Sequence, residues 1–305
     1  MRILRGLESY PPDAPASVVA LGVFDGVHRA HRAILDAAVA RAREAGLVAL
    51  ACTFDPHPAQ VLSPHRAPAP ITTLEERLDL IAGAGLDATV VLAFSRELPA
   101  LEPEAFVEAV LLERLHARAV VVGFNHRFGR AARGDARLLE ALARTLGFAA
   151  HVVPPLVIDG APVSSSAVRT ALQAGDVEAA MRLLGRPYRV TGPVVRGAAR
   201  GRILGFPTAN VQPERPVLVP AGVYACRADT PGGGHRAVVN IGVRPTFQET
   251  VVTVEAHLLD FTSDLYGHRL TLEFQRRLRD EVRFPSVEAL RAQIARDIEA
   301  TLARD

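Results

Sequence analysis

Five apolar runs, at residues 17–23, 47–53, 88–94, 119–123 and 148–153, alternate with helical patterns through the first half of the chain. Short apolar runs bounded by turn residues read as strands buried on both faces. Between them, one helical pattern covers about 31–45 and stops at Gly46, and another opens on the capping box Thr73-Leu74-Glu75-Glu76. Two more cover 103–115 and 135–146, the last closed by Gly147. Strands separated by helices of this length predict βαβ units and a parallel sheet, with ligands at the C-terminal strand ends.

The pattern changes near residue 187. Two short helices, 166–174 and 177–184, end at Gly185-Arg186-Pro187. Short β-rich segments follow, at 189–195, 222–228, 237–241, 251–259 and 270–274, broken by Gly and Pro. Frequent turns between short strands predict an antiparallel barrel. The chain closes with a helix capped by Ser286, with Val287, Leu290, Ile294, Ile298 and Leu302 along one face. The expected division is therefore 1–186 and 187–305, a Rossmann-like α/β domain and a β-barrel domain. At 305 residues and 49% hydrophobic, the chain can fill two cores.

Composition narrows the chemistry. The net charge is +2 and the signs are mixed, as where Arg276-Arg277-Leu278-Arg279 meets Asp280 and Glu281, so no nucleic-acid stripe is expected. Cys52 and Cys226 are far apart, which argues against a disulfide framework or a cysteine zinc site. Residues 1–15 carry no signal-peptide core, and no later run is long enough to span a bilayer; the expected setting is the cytoplasm, with no membrane partner. The sequence contains no lysine, all 35 basic residues being arginine. A Walker-A loop, a Schiff base and a lysyl-nucleotide intermediate are thereby excluded.

The phosphate chemistry must then come from His, Arg, backbone N–H groups and metal. The first strand runs into Gly22-Val23-Phe24-Asp25-Gly26-Val27-His28, and His31 follows where a helix begins. A helix start is a seat for phosphate, and two imidazoles there would stabilise charge building on an α-phosphate during adenylyl transfer. A shared metal ion is the other reading of His28 and His31, since histidines three apart on a helix can ligate together. Ser164-Ser165-Ser166, with Arg169 one turn on, reads either as an ordinary helix cap or as a polyphosphate clamp. Asn125 closes another strand, where it can contact a nucleotide or ribose; His57, in Thr53-Phe54-Asp55-Pro56-His57-Pro58, can be structural or functional.

In the second half, Gly201-Arg202-Ile203-Leu204-Gly205-Phe206-Pro207-Thr208-Ala209-Asn210 ends in a hydroxyl and an amide carbonyl at alternate positions. Both are hard oxygen donors of the kind Mg²⁺ accepts beside substrate phosphates, although a polar turn would use the same residues. Glu255 lies in an apolar strand, as a salt-bridge partner at the barrel lip or as a base for an attacking hydroxyl.

Taken in order, these motifs resemble the bacterial bifunctional riboflavin kinase/FMN adenylyltransferases. Leu183-Leu184-Gly185-Arg186-Pro187-Tyr188, Gly222-Val223-Tyr224, Asn240-Ile241-Gly242-Val243-Arg244-Pro245-Thr246-Phe247 and Glu255-Ala256-His257-Leu258-Leu259-Asp260-Phe261 add to the match, which spans nearly the whole chain. The resemblance implies that the C-terminal barrel phosphorylates riboflavin to FMN and that the N-terminal domain joins FMN to AMP from ATP, giving FAD and pyrophosphate. It implies Glu255 as base and Thr208 and Asn210 as holders of the Mg²⁺-nucleotide, with Gly201, Arg202, Gly205 and Pro207 in the surrounding loop. For the first domain it implies His28 and His31 as catalytic groups. Gly22, Phe24, Asp25, Gly26, Asn125, Ser164, Ser165 and Arg169 would bind nucleotide or FMN. Ala30 stands where the family usually has Gly, His126 where an aromatic is common, and Arg196 where a His is common. The alternative is a riboflavin kinase alone, with a nucleotide-binding but inactive first domain; a flavin carrier without turnover is a third reading.

Overall fold

The computed structural model describes residues 1–95, 98–197, 201, 204–245 and 250–303. Their packing forms two compact units, Met1–Ser165 and Ser166–Asp305. In the first, strands β1 (Arg2–Arg5), β2 (Ser17–Leu21), β3 (Val48–Asp55), β4 (Ala88–Ala93) and β5 (Ala117–Gly123) join one parallel sheet. The two-residue strands β6 (Arg127–Phe128) and β7 (Gly134–Asp135) pair on their own, and β8 (Ala149–Val153) completes the large sheet. The order is β1-β4-β3-β2-β5-β8. A small hairpin, β9 (Val157–Ile158) and β10 (Ala161–Pro162), follows.

All five residues of the central strand β2 are buried. Ser17, its single polar side chain, donates from Oγ to the Leu115 carbonyl at 2.6 Å, so no unsatisfied hydroxyl enters the core. Helix α1 (Arg29–Ala45) presents Ile34, Leu35, Ala38 and Ala42 to one sheet face. After the short α2 (Pro58–Leu62), helix α3 (Leu74–Ala82) adds Ile81 to the same layer. The predicted capping box of α3 forms, the Glu76 N–H donating to Thr73 Oγ1 at 3.1 Å and the Thr73 N–H to Glu76 Oε2 at 2.9 Å. The opposite face is covered by α4 (Pro103–Ala105), by the π-wound turn Phe106–Arg114 that continues it, and by α5 (Ala136–Leu146). Each fully buried Val or Leu in these layers contributes about 1.5–3 kcal/mol.

The edge strand β1 is absent from the sequence reading. Its burial pattern is almost wholly exposed, with Ile3 46% accessible, so no apolar run marks it; it forms because the edge of β4 offers it a parallel partner. The strand order has a further consequence. The chain leaves β2 for β3 on one side and later returns to β5 on the other, and a crevice opens beyond the C-terminal ends of β2 and β5.

In the second unit, helices α6 (Ser165–Gln173) and α7 (Val177–Leu184) precede a closed barrel. Its strands are β11 (Tyr188–Val195), β12 (Ala209–Val211), β13 (Gly222–Thr230), β14 (Gly233–Pro245), β15 (Thr250–Leu258) and β16 (Arg269–Arg279), in the order β11-β12-β15-β14-β13-β16. Tyr188, Tyr224, Phe274, Leu270 and Leu272 fill it. Helix α7 packs on β11 and β16, so packing groups it with the barrel, whereas composition changes only after Leu184.

The last helix, α8 (Val287–Leu302), departs from expectation. Only the middle of its apolar stripe docks: Leu290, Ile294 and Ile298 are half-buried, Val287 and Leu302 are 53% and 46% exposed, and Asp297 and Thr301 are the buried residues. Charge directs the helix. Arg279 donates from Nε to Asp297 Oδ1 at 3.1 Å and from Nη2 to Oδ2 at 2.8 Å, and Gln293 Nε2 donates to Oδ1 at 2.8 Å. Arg276 and Arg236 reach the carbonyls of Ala300 and Leu302 in the last turn. A buried ion pair broken on one side leaves the other charge stranded. Asp297→Ala is therefore expected to cost the second unit about 3 kcal/mol in urea unfolding, and Asp297→Asn less.

Candidate functional site

The loop after β2 is held by a buried polar scaffold. The Asp25 carboxylate accepts from the backbone N–H of Ile71 at 3.0 Å and of Thr72 at 3.2 Å, and from Thr72 Oγ1 at 3.3 Å. The Gly26 N–H donates to the same Thr72 hydroxyl at 3.1 Å. Arg77, only 6% exposed, donates from Nη1 to the Val23 carbonyl at 2.9 Å and from Nη2 to the Phe54 carbonyl at 3.1 Å. Thr53 Oγ1 also donates to Val23. These contacts hold Phe24 at φ 55° and Gly26 at φ 80°. A Cβ at Gly22 would stand 2.9 Å from the Phe24 ring, and one at Gly26 would stand 3.0 Å from Ile71. Both glycines thus serve a close approach. Asp25 and Phe24 shape the loop from beneath it, both being buried.

His28 is the N-cap of α1. Its Nδ1 accepts from the His31 N–H at 3.2 Å, which places the ring proton on Nε2 and makes that atom a hydrogen-bond donor. The His31 ring stacks on it at 3.6 Å between centroids and 13° between planes, and Phe24 packs edge-on to His31 at 5.3 Å. Burial, His28 and the Arg77 charge hold the His31 imidazole well below the ordinary histidine pKa, so it is neutral at pH 7. Its buried Nδ1 has no hydrogen-bond partner among the described residues. Two imidazoles, face to face at a helix start, suit a ligand bearing developing negative charge.

The other predicted residues of this half fall at nearby strand and helix ends. Ser165, the last residue of the first unit, donates from Oγ to the Asp25 carbonyl at 3.0 Å, and Ser164 precedes it. Asn125 is exposed in the turn after β5, its Oδ1 3.6 Å from where a Cβ on Gly123 would stand. Histidine loop and Asn125 turn therefore flank the crevice between β2 and β5. Arg169 is buried on α6 in the second unit. His57 is the N-cap of α2, its Nδ1 accepting from the Ala59 N–H at 3.1 Å.

In the barrel, register brings the chemistry together. Asn210 on β12 and Asn240 on β14 both lie directly opposite Glu255 on β15. Directly opposed residues share a face, so an amide–carboxylate–amide row crosses three strands. Val254 and Ala256 alternate with Glu255 into the buried interior. Over Gly242, next along this face, two more groups join Asn240: a Cβ there would stand 2.9 Å from Thr253 Oγ1, 3.1 Å from Glu281 Oε1 and 3.4 Å from Asn240 Nδ2. Thr208 lines a neighbouring cavity of about 450 Å³ with Pro207, Ala256, Leu258, Phe261 and Tyr266. His257 Nδ1 meets the Pro207 carbonyl at 2.8 Å; a carbonyl only accepts, so Nδ1 carries the proton and anchors the loop before Thr208. Gly201 accepts from the Phe206 N–H at 2.8 Å, and Gly205 sits at φ 85°. Arg202, Thr246 and Phe247 lie outside the described residues.

Sequence reading missed Arg77, Thr72, Asn240 and Glu281 as members of these sites. Arg77 looks like any solvated helix residue, and only its burial shows that it braces two loops. Asn240 and Glu281 join the row through pairing and chain reversal, which leave no local mark.

A parallel-sheet unit with a glycine turn running into a histidine-capped helix, followed by a small closed barrel with an amide–carboxylate–amide row, is the build of a two-domain phosphate-transfer enzyme. Residues 11–167 match the family model for FAD synthetase and residues 184–304 that for riboflavin kinase. A bifunctional riboflavin kinase/FMN adenylyltransferase of Pseudomonas fluorescens is 40% identical over 304 residues, covering 99% of this chain and 97% of that one. The protein of the same name in Escherichia coli K12 is 37% identical, covering 97% and 96%. A solved structure described as a macrolide-efflux protein from Streptococcus pneumoniae superposes over the whole of both chains, with a TM-score of 0.92 and 29% identity. Among the described residues, no helix is long and apolar enough to cross a membrane. The chain belongs to the bifunctional riboflavin kinase/FMN adenylyltransferase family and carries both enzymatic domains, which favours the two-activity reading over a kinase alone.

Burial drives the His126 imidazole down to about pKa 4, and its buried Nε2 lacks a hydrogen-bond partner. The unfolded chain binds a proton at this residue below about pH 6.5 while the folded chain stays neutral, so stability present above that pH is lost as pH falls toward 4. Thermal melts between pH 7.5 and 5 should show a steeper fall for the parent than for His126→Phe.

Proposed function

We propose that the two reactions of this family are divided at residues 186/187 and run on the residues assembled above. In the barrel, Glu255 accepts the proton of the riboflavin 5′-hydroxyl as that oxygen attacks the γ-phosphorus of ATP; ADP leaves and FMN forms. Asn210 and Asn240, opposite Glu255 on either side, orient the carboxylate. Thr208 and Asn210 would hold Mg²⁺, and their neutral hard oxygens fit that ion, which takes few protein ligands and completes its shell with phosphates and water. Bound there, Mg²⁺ would neutralise phosphate charge during transfer. Gly201, Arg202, Gly205 and Pro207 shape the loop against the nucleotide.

In the first domain, a phosphate oxygen of FMN attacks the α-phosphorus of a second ATP, and pyrophosphate leaves. The stacked pair His28 and His31 carries this reading. The Nε2–H of His28, set as a donor by the helix cap, points the pair toward hydrogen bonding of the non-bridging oxygens, where charge grows in the transition state. Gly22 and Gly26 let the backbone come close, and Phe24 and Asp25 hold the loop rigid. Asn125, Ser164, Ser165 and Arg169 bind nucleotide or FMN. The absence of lysine suits direct in-line transfer in both domains, with no covalent enzyme intermediate. The partners are then small molecules alone: riboflavin, FMN, FAD and ATP, with no nucleic acid or membrane. The buried free thiols of Cys52 and Cys226 suit a cytoplasmic enzyme.

A time course resolving riboflavin, FMN and FAD tests the assignment. Glu255→Gln is expected to lower FMN formation at least about a hundredfold and to leave FMN-to-FAD conversion largely intact. His28→Ala should do the reverse, with about a hundredfold loss of FAD formation. If either variant lowers both activities together, the residues are wrongly divided between the sites. Ala30, in the first turn of α1, puts a methyl at the phosphate seat. Ala30→Gly is expected to keep or raise FAD formation, and a large loss in the same assay would remove His28 and His31 from the transfer step.

A further inference from the structure

A second cavity in the barrel unit, about 570 Å³, belongs to neither site. It lies among β13, β14, β16, α7 and the end of α8, and its wall includes Arg227, Arg236, Arg276, Glu178, His235 and Thr301. His235 packs edge-on against Phe261 at 4.9 Å, and Phe261 lines the cavity beside Thr208, so this contact separates the two spaces.

The arginines are the unusual feature. Arg227 on β13 and Arg236 on β14 are directly opposed across the strands, an arrangement of like charges that destabilises a sheet. Arg276 enters from β16, opposite Ala225, two residues from Arg227 on the same face. Three guanidinium groups here face two carboxylates, Glu178 and Asp229; Glu273, which pairs with Arg227 in register, is engaged by Arg189 at 2.9 Å. Capping of α8 accounts for part of the set, since Arg236 and Arg276 donate to the Leu302 and Ala300 carbonyls at 3.2 and 2.6 Å. It does not account for Arg227. That guanidinium lies over Gly234 on β14, where a Cβ would overlap it, and its carboxylate contact, Asp229, is 3.5 Å away. The bare backbone at Gly234 thus seats the Arg227 guanidinium within the cavity that Arg236 also lines.

We propose that this cavity is an anion site for a phosphate-bearing small molecule, bridged by Arg227 and Arg236 and separate from both transfer centres. Guanidinium forks match phosphate oxygens in pairs, and the volume falls in the range of small-ligand sites. The phosphate can arrive as free pyrophosphate or as the end of a nucleotide.

Calorimetric titrations of the full chain with inorganic pyrophosphate and, separately, with ADP test the site in magnesium-free, low-salt buffer. Arg227 has a side chain 61% exposed, so Arg227→Gln leaves the fold in place. The expected result is a binding event weakened about tenfold in Arg227→Gln, as loss of a charge-assisted contact predicts. Gly234→Ala keeps every charge but displaces the Arg227 guanidinium, and should weaken the same event similarly. A loss seen with pyrophosphate alone marks a site for the free anion, and a loss with ADP as well marks a nucleotide site. Titration curves that coincide for the parent, Arg227→Gln and Gly234→Ala with both probes would overturn the proposal. So would loss of FMN formation in either variant without added anion, which would merge the cavity with the kinase site.

Discussion

The buried carboxylate of Asp25 is the contact on which the first site depends. It joins the loop after β2 to the segment entering α3, through two backbone N–H groups and the Thr72 hydroxyl. Arg77 answers from α3 by holding the carbonyls of Val23 and Phe54, so two strand-end loops share one brace. A fully satisfied polar network in a low-dielectric interior is rigid, and a partly satisfied one is costly. That rigidity lets non-glycine Phe24 and Val27 occupy positive φ and delivers His28 to the helix start in a single orientation.

The barrel reaches comparable precision by a different route. Its site is a matter of register, because Glu255 has an amide on each side only while β12, β15 and β14 stay in step. A slip of one residue would turn Glu255 into the interior and present Val254 in its place. Closure of the barrel leaves no edge for such a slip, and the aromatic packing of Tyr188, Tyr224 and Phe274 fills the space that closure encloses.

Arginine replaces lysine throughout this chain, and the consequence is visible at each structural junction. Arg77 braces loops, Arg279 holds Asp297, Arg215 donates to the Tyr188 hydroxyl at 2.7 Å, and Arg276 reaches a helix end. Arg77, Arg279 and Arg215 each use several N–H groups of one planar fork, which the single ammonium of lysine does not offer in that geometry. The same fork geometry underlies the phosphate site proposed at Arg227 and Arg236.

Much was legible in the chain alone. The strand–glycine turn–helix start, the capping box at Thr73, the change to short β segments after Tyr188 and the ordered motifs are local patterns, set by side-chain period and turn chemistry. They marked the parallel sheet, the barrel and the residues His28, His31, Thr208, Asn210 and Glu255. Tertiary structure decided what depends on partners distant in sequence. It added β1 as an edge strand with no apolar signal, buried Arg77, and opposed Asn240 to Glu255. It also docked α8 with Asp297 at the centre of the buried face, beside the middle of the apolar stripe that its periodicity advertised. In each case the deciding energy is the pairing of a polar group across the fold, and a pairing of that kind is invisible until the chain has brought both partners to the same place.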